Sequence, residues 1–355
     1  MPDAAAVPQL DMAFDDVQAV KKACAAFREM FGRLRAQISK AIVGQDEVVE
    51  QMLIALFCDG HVLLEGVPGL GKTLLVRTLA RTLSLPFARI QFTPDLMPAD
   101  ITGTSVVVDD PVTGRRSFTF RPGPVFSQFL LADEINRATP KSQSALLEAM
   151  QERSVTVGGR TRRLNQPFLV LATQNPIEQE GTYPLPEAQL DRFFFKIIVP
   201  YATQSEMNRI VARTTSNLES LVDPVMDGPY IIKAQRLARR IVVAPHVQDY
   251  VIRLVLATHP GGPSSGDDSF LDRYVRVGVS PRGAQALTSA AKVRALLAGR
   301  YAAAFKDVES VAHPALRHRL IRTFEAQADG VSNDDIITHL LEVVPHEPPA
   351  ETGDV

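Results

Sequence analysis

Apolar residues in the first part of the chain recur every three to four positions: Val17, Val20, Ala23, Phe27, Met30, Phe31 and Leu34. This period predicts an amphipathic helix over 15–40. Ile42-Val-Gly-Gln-Asp46 then opens a second helix, with Asp46 as its N-cap and Val48, Met52, Leu53 and Leu56 as its apolar stripe. From 61 to 199 short apolar runs alternate with helical periods. Runs at 61–65, 88–92, 127–132, 168–173 and 194–199 predict five strands of a parallel sheet covered by helices. Two hairpins interrupt the alternation, one pairing 104–108 with 115–120 around Asp109-Asp-Pro-Val-Thr-Gly114, the other pairing 154–157 with 161–164 around Gly158-Gly159-Arg160. Each is either decoration of the sheet edge or an arm that contacts something. Beyond Pro200 the periods are helical, at 204–214, 233–243, 246–256, 281–298 and 334–343, with a loop at 261–268. The fold class is therefore α/β: a core over 40–200, preceded by a flexible start and a helix over 1–39, followed by a smaller all-helical domain over 201–343 and a disordered tail over 344–355.

The first predicted strand runs into Gly66-Val67-Pro68-Gly69-Leu70-Gly71-Lys72-Thr73-Leu74, and Leu75, Leu79 and Leu83 continue it as a helix. Strand, glycine-rich loop, Lys-Thr and helix form a phosphate-binding loop in its proper setting. Gly66, Gly69 and Gly71 let backbone N–H groups turn inward around phosphate oxygens. The helix that follows points its positive end at them. Lys72 reaches the β- and γ-phosphates, and the Thr73 hydroxyl is placed to ligate Mg²⁺.

A second apolar strand ends in Asp133-Glu134. Asp133 is suited to holding Mg²⁺ and Glu134 to polarising an attacking water. The next strand ends at Asn175, whose amide either faces the γ-phosphate or simply forms the turn before Pro176. Parallel strands deliver their C-terminal ends to one crevice, which favours the first reading. Two arginines follow. Arg192 precedes the last strand, and Arg282 lies in the first turn of a helix capped by Ser280 with Pro281 at its first position. A cation there does not suit the helix dipole, so Arg282 either faces a ligand or lies on the surface.

Composition narrows the classes. The chain has 355 residues, 45% hydrophobic and 22% charged, with a net charge of −2. That balance excludes a nucleic-acid polyelectrolyte, although Arg153, Arg160, Arg162 and Arg163 form a local basic cluster on the second hairpin. The two cysteines, Cys24 and Cys58, lack metal-ligand spacing. The beginning of the chain lacks the basic and apolar stretches of a signal peptide, and no run approaches a membrane span, so the expected location is cytoplasmic.

The order of phosphate loop, Asp-Glu strand, Asn strand end, Asp-Arg-Phe and Ser-Pro-Arg-Gly resembles the AAA+ ATPases. Phe129-Leu-Leu-Ala-Asp-Glu-Ile-Asn-Arg137, Lys141-Ser-Gln-Ser-Ala-Leu-Leu-Glu-Ala-Met-Gln-Glu152, Ala172-Thr-Gln-Asn-Pro176 and Gly181-Thr-Tyr-Pro-Leu-Pro-Glu-Ala-Gln-Leu-Asp-Arg-Phe193 narrow the resemblance to the MoxR family, over about 40–345. The resemblance implies that Lys72 and Thr73 are the Walker A pair, Asp133 and Glu134 the Walker B pair, Asn175 sensor 1 and Arg282 sensor 2 reaching from the lid. Arg192 would be an arginine finger inserted into a neighbouring subunit, and Val43, Gly44 and Gln45 would lie against adenine. The hairpins would be the helix-2 insert and the pre-sensor hairpin. ATP or ADP and Mg²⁺ would be bound, in a hexameric ring acting as a chaperone with a partner carrying a von Willebrand factor A domain. Two other classes remain: a nucleic-acid motor using the basic hairpin, and a nucleotide-gated assembly module whose turnover is incidental.

Overall fold

A computed structural model describes residues 17–109, 116–176, 181–215, 222–261 and 269–347. The expectations for the flexible start, the turn at 110–114, the loop at 262–268 and the tail beyond 347 lie outside the described residues. Helix α1 (Val17–Ala41) carries the predicted stripe, and its Phe27, Met30 and Leu34 are fully buried. Helix α2 (Asp46–Phe57) differs from expectation at its start. Its N-cap is Gln45, in the left-handed region at φ 57°, and Asp46 is the first helical residue. The Gln45 amide donates instead to the Leu70 carbonyl at 3.1 Å. Asp46 and Glu47 still place negative charge in the first turn, where the helix dipole favours it.

The core continues through β1 (Val62–Glu65), α3 (Lys72–Thr82), β2 (Phe87–Gln91), α4 (Pro98–Thr102), β3 (Gly103–Asp109), β4 (Arg116–Pro122), β5 (Phe129–Asp133), α5 (Pro140–Glu152), β6 (Ser154–Val157), β7 (Arg160–Arg163), β8 (Leu169–Gln174), α6 (Glu187–Leu190) and β9 (Phe195–Ile198). The five-stranded sheet has the order β2-β5-β8-β1-β9 and every pairing in it is parallel. Its central strands read as unbroken apolar runs because both faces are covered. Alternation decides which cover each side chain meets. Leu64, Leu131, Leu171 and Ile197 join the cluster containing α1, α2 and α3, whereas Leu63, Leu130 and Val170 join the cluster containing α5.

Strands β3 and β4 pair antiparallel, as do β6 and β7. The base of the first hairpin needs two glycines. A Cβ on Gly103 or Gly123 would fall 2.3 Å from the carbonyl oxygen of Arg121 or Ile101 respectively. The two hairpins also touch, with the Arg162 guanidinium 3.9 Å above the Phe120 ring.

After β9 come α7 (Gln204–Thr214), α8 (Gly228–Arg239), β10 (Val242–Val243), α9 (Pro245–Ala257), α10 (Ser269–Tyr274), β11 (Val275–Val277), α11 (Pro281–Leu297), β12 (Ala302–Ala303), α12 (Phe305–Leu316), β13 (Ile321–Arg322), α13 (Phe324–Ala328) and α14 (Asn333–Val343). The region is not wholly helical. β10 pairs with β12 and β11 with β13, so the helix expected over 233–243 ends at Arg239 and Val242 and Val243 form a strand. That helix also begins earlier, because Asp227 caps it by accepting from the Tyr230 N–H at 2.8 Å. Leu237, Leu254, Leu287 and Val308 belong to the same apolar cluster as α1 and the sheet. α1 and α2 thus lie between the sheet and the C-terminal helices, with one core running through all three layers.

Two stability outcomes follow from this packing. Phe27 meets Phe57 edge-on at 4.9 Å between ring centroids, and Phe27→Ala is expected to lower stability by about 3–5 kcal/mol, read as a shift in the urea midpoint. His61 is held neutral: its Nδ1 accepts from the Val170 N–H at 3.0 Å and its Nε2–H donates to the Met150 carbonyl at 3.2 Å. Burial pulls its pKa down to about 4. The unfolded chain therefore binds the extra proton first. Stability is full above pH 6.5 and declines as pH falls from 6.5 towards 4, by up to about 3 kcal/mol from this residue. The decline measured by urea unfolding at pH 7 and pH 4.5 is expected to be smaller in His61→Gln.

Candidate functional site

The loop from Gly66 to Thr73 joins β1 to α3. Gly69 and Gly71 have φ of 86° and 75° with open space where a Cβ would stand, so backbone conformation, not crowding, requires glycine there. Gly71 is the N-cap of α3, and no acidic residue occupies the first turn of that helix. Its N–H groups and dipole are directed at the loop without a competing carboxylate, which suits a polyphosphate. Lys72 is the first helical residue and its Nζ donates back to the Gly66 carbonyl. Thr73 follows one position on.

Strand β5 delivers Asp133 and Glu134 beside this loop. Asp133 is buried; one carboxylate oxygen accepts from Thr173 Oγ1 at 2.6 Å and the other from Arg89, with Nη2 at 2.7 Å and Nε at 3.1 Å. Glu134 takes the left-handed conformation at φ 57°, which turns it away from Asp133. Its N–H donates to Thr173 Oγ1 at 2.8 Å. Its carboxylate accepts from Gln91 Nε2 at 2.7 Å and pairs with Arg137 at 3.4 Å. Asn175, buried, follows the last residue of β8. Because β5, β8 and β1 are adjacent and parallel, Asp133, Glu134, Asn175, Lys72 and Thr73 stand at one end of three neighbouring strands.

Sequence reasoning missed Arg89, Gln91 and Thr173. Arg89 and Gln91 are two apart on β2 and share a face, and Gln91 stands opposite Asp133 in the register. Only the sheet order, which places β2 next to β5, shows that they meet the two carboxylates.

Beside the loop is a largely apolar cavity of about 210 Å³, lined by Val43, Gln45, Leu70 and Leu74 together with Tyr201 and Met207. Gly69 and Gly71 also line it, whereas Val67 and Pro68 of the same loop do not. Gly44 packs against the Glu206 side chain, and its φ of 68° admits glycine readily. The cavity has the size and polarity to take a flat base. Tyr201, Met207 and Ile210 were not anticipated, because they come from the segment after β9 and from α7, whose apolar residues look like an ordinary helix stripe.

Arg282 does not stand over its own phosphate loop. It pairs with Asp191 at 3.6 Å and shares a cleft of about 450 Å³ with Arg192. This cleft lies where β1 and β9 begin, since Val62 is opposite Phe195, whereas the phosphate loop follows the other end of β1. The four residues of β1 separate the two by roughly 10 Å along the strand, at about 3.3 Å per residue. Asp191 also explains the cation in the first turn of α11. Its carboxylate accepts from Ser280 Oγ at 3.0 Å, placing negative charge at that helix N-terminus. Of the other arginines in the core, Arg137 pairs with Glu134 and Arg153 with Asp59 at 2.7 Å.

Comparison with known proteins accords with this geometry. Residues 61–195 match the ATPase family associated with various cellular activities (AAA), and 269–340 match an AAA lid domain. The chain is 46% identical over 308 residues to the chaperone MoxR1 of Mycobacterium tuberculosis, covering 87% of this chain and 80% of the relative. The chain belongs to the MoxR family of AAA+ ATPases. The uncharacterized protein YeaC of Bacillus subtilis is 41% identical over 318 residues, 89% of this chain and 94% of its own. A Cytophaga hutchinsonii protein described as a candidate ATPase superposes with a TM-score of 0.85 at 40% identity, covering 93% of this chain and 98% of that one. The parallel sheet with helices on both faces and the largely helical C-terminal region are thus the AAA and AAA lid architecture of the MoxR family. Among the described residues no helix is long and apolar enough to cross a membrane.

Removing the Lys72 ammonium takes away the loop's fixed cation. Lys72→Ala is expected to weaken binding of a fluorescent ATP analogue by about 100-fold or more, with the urea midpoint nearly unchanged.

Proposed function

We propose that this MoxR-family chain hydrolyses ATP in a ring of subunits, expected to number six, and uses the cycle to remodel, assemble or mature client proteins as a chaperone. The observation that supports this reading is that the candidate site residues lie at two opposite ends of the sheet. Lys72, Thr73, Asp133, Glu134 and Asn175 converge at the phosphate loop, while Arg192 and Arg282 face outward from the opposite end. At the phosphate-loop end Arg89 and Arg137 are paired with Asp133 and Glu134, and a neighbour presenting its Arg192 and Arg282 would supply further arginine charge to phosphoryl transfer.

In that site the N–H groups at the start of α3 and the Lys72 ammonium bind the β- and γ-phosphates. Mg²⁺, held by the Thr73 hydroxyl and Asp133, would offset phosphate charge. Thr173, bonded to both Asp133 and the Glu134 N–H, fixes the two carboxylates relative to each other. Glu134 orients the attacking water, Asn175 steadies it against the γ-phosphate, and Val43, Gln45, Leu70 and Tyr201 enclose the base. Positioning and charge complementarity provide the acceleration, since the reaction needs little covalent help. The two hairpins, joined through Arg162 and Phe120, are suited to contacting the client. MoxR1 of M. tuberculosis bears the name chaperone, which supports the protein-remodelling reading. A partner with a von Willebrand factor A domain and a cytoplasmic location belong to the same proposal. The nucleic-acid reading retains a 28% identical relative, the Holliday junction subunit RuvB of Rubrobacter xylanophilus, but Arg162 of the basic hairpin is already engaged with Phe120. An assembly module with incidental turnover would keep full biological function as Glu134→Gln, whereas a motor would lose it.

The test uses two variants. Arg192→Ala is expected to bind ATP normally and to lose about 10³-fold or more in turnover. Glu134→Gln is expected to bind ATP and turn it over poorly. Mixed, the pair is expected to recover activity, because Glu134→Gln subunits contribute Arg192 to intact neighbouring sites. ATPase rate per subunit is expected to rise with protein concentration as the ring assembles; a flat rate from a stable monomer would falsify the shared site.

A further inference from the structure

Arg319 follows α12 and is the most enclosed arginine near the outward-facing cleft, with a side chain only 3% exposed. Its Nε donates to Asp191 Oδ1 at 2.8 Å, its Nη2 to the Phe193 carbonyl at 2.7 Å and its Nη1 to the Phe194 carbonyl at 3.2 Å. A further donation reaches the Ala315 carbonyl at the end of α12. His318 Nε2 donates to the same Phe193 carbonyl at 2.9 Å. Asp191 is drawn in from a second side, by Ser280 at the cap of α11 and by Arg282. The side-chain clamps on the residues either side of Arg192 thus come from beyond residue 279, and the core adds the His61 carbonyl, which accepts from the Phe194 N–H at 2.8 Å.

We propose that Arg319 is the positioning residue for Arg192, so that α11 and α12 join the α/β core in setting where this arginine stands. The inference rests on the reading of Arg192 as a trans-acting group. Its basis is chemical. A guanidinium presents five donors in a rigid plane, and here the fork spans a carboxylate and the backbone carbonyls of Phe193, Phe194 and Ala315 at once. Burial lowers the Arg319 pKa only to about 10, so the group stays charged and Asp191 stays compensated. α11 carries Arg282 and the Ser280 cap, and α12 packs on both α11 and β9. A shift of these helices would therefore carry Arg192 and Arg282 together as one unit.

Arg319→Lys tests this, because lysine keeps the ion pair with Asp191 and loses the planar fork. The expected variant folds, binds a fluorescent ATP analogue as the parent does and turns ATP over about 10- to 100-fold more slowly, the scale of a misplacement near 1 Å. Mixing it with Glu134→Gln subunits is expected to restore turnover, because the neighbour then supplies a well-placed arginine to a sound site. Loss of nucleotide binding, or parental turnover, would overturn the proposal. So would failure of this mixture to recover while Arg192→Ala mixed with Glu134→Gln does recover, and that outcome would leave the shared-site reading standing. If neither mixture recovers, the shared site and the positioning role fall together. Should Arg319→Lys not fold, Asp191→Asn removes the same carboxylate anchor with little change of shape, and the same pattern of intact binding, slow turnover and recovery on mixing is expected.

Discussion

Three strands lying side by side and running one way are the constraint on which the site depends. β5, β8 and β1 end together, and their last residues or the residues just beyond are Asp133, Asn175 and the phosphate loop. No one of these segments makes a site. Parallel pairing brings residues separated by more than a hundred positions in the chain to one crevice. The same pairing requires both faces of the sheet to be covered, and α1, α2 and α3 on one side and α5 on the other supply that cover. The unbroken apolar runs that make the strands easy to find are thus a by-product of the geometry that assembles the chemistry.

Polar contacts then give the carboxylates distinct surroundings. Thr173 serves both at once, as donor to Asp133 and acceptor for the Glu134 backbone, which ties β8 to the end of β5. Arg89 and Gln91, one strand further out, divide the two acids between them. A buried carboxylate without such partners would face a substantial desolvation cost. The arrangement leaves Asp133 with a charged partner and Glu134 with a mixture of an amide and the more distant Arg137.

The chain's sequence discloses these elements unevenly, for physical reasons. The five strands, the phosphate loop, the Asp-Glu pair and both hairpins were legible because each is local: a period, a glycine spacing or a turn between two β-rich runs. Arg89, Gln91 and Thr173 were not, because their meaning lies in which strand neighbours which, and no local pattern records sheet order. Asp46 misled as a cap because Gln45, ordinarily a poor cap, is held in place by the Leu70 carbonyl. Val242 and Val243 misled by extending a helical period into a two-residue strand. Arg282 was correctly marked as oddly placed in a helix first turn, but its partner Asp191 lies far away in the chain, so its orientation could not be read locally.

Strand β9 has a second consequence. It is an edge strand of four residues, Phe195–Ile198, with Arg192 just ahead of it and Pro200 and Tyr201 just behind. An extended strand is nearly inextensible along its length, since its rise per residue is fixed by the pleat. The wall of the base cavity and the turn that carries Arg192 thus lie at opposite ends of one short strand. In the proposed ring those two ends would face different nucleotides, so that one short strand links a subunit's grip on its own base to the turn that carries its reach toward its neighbour's phosphates.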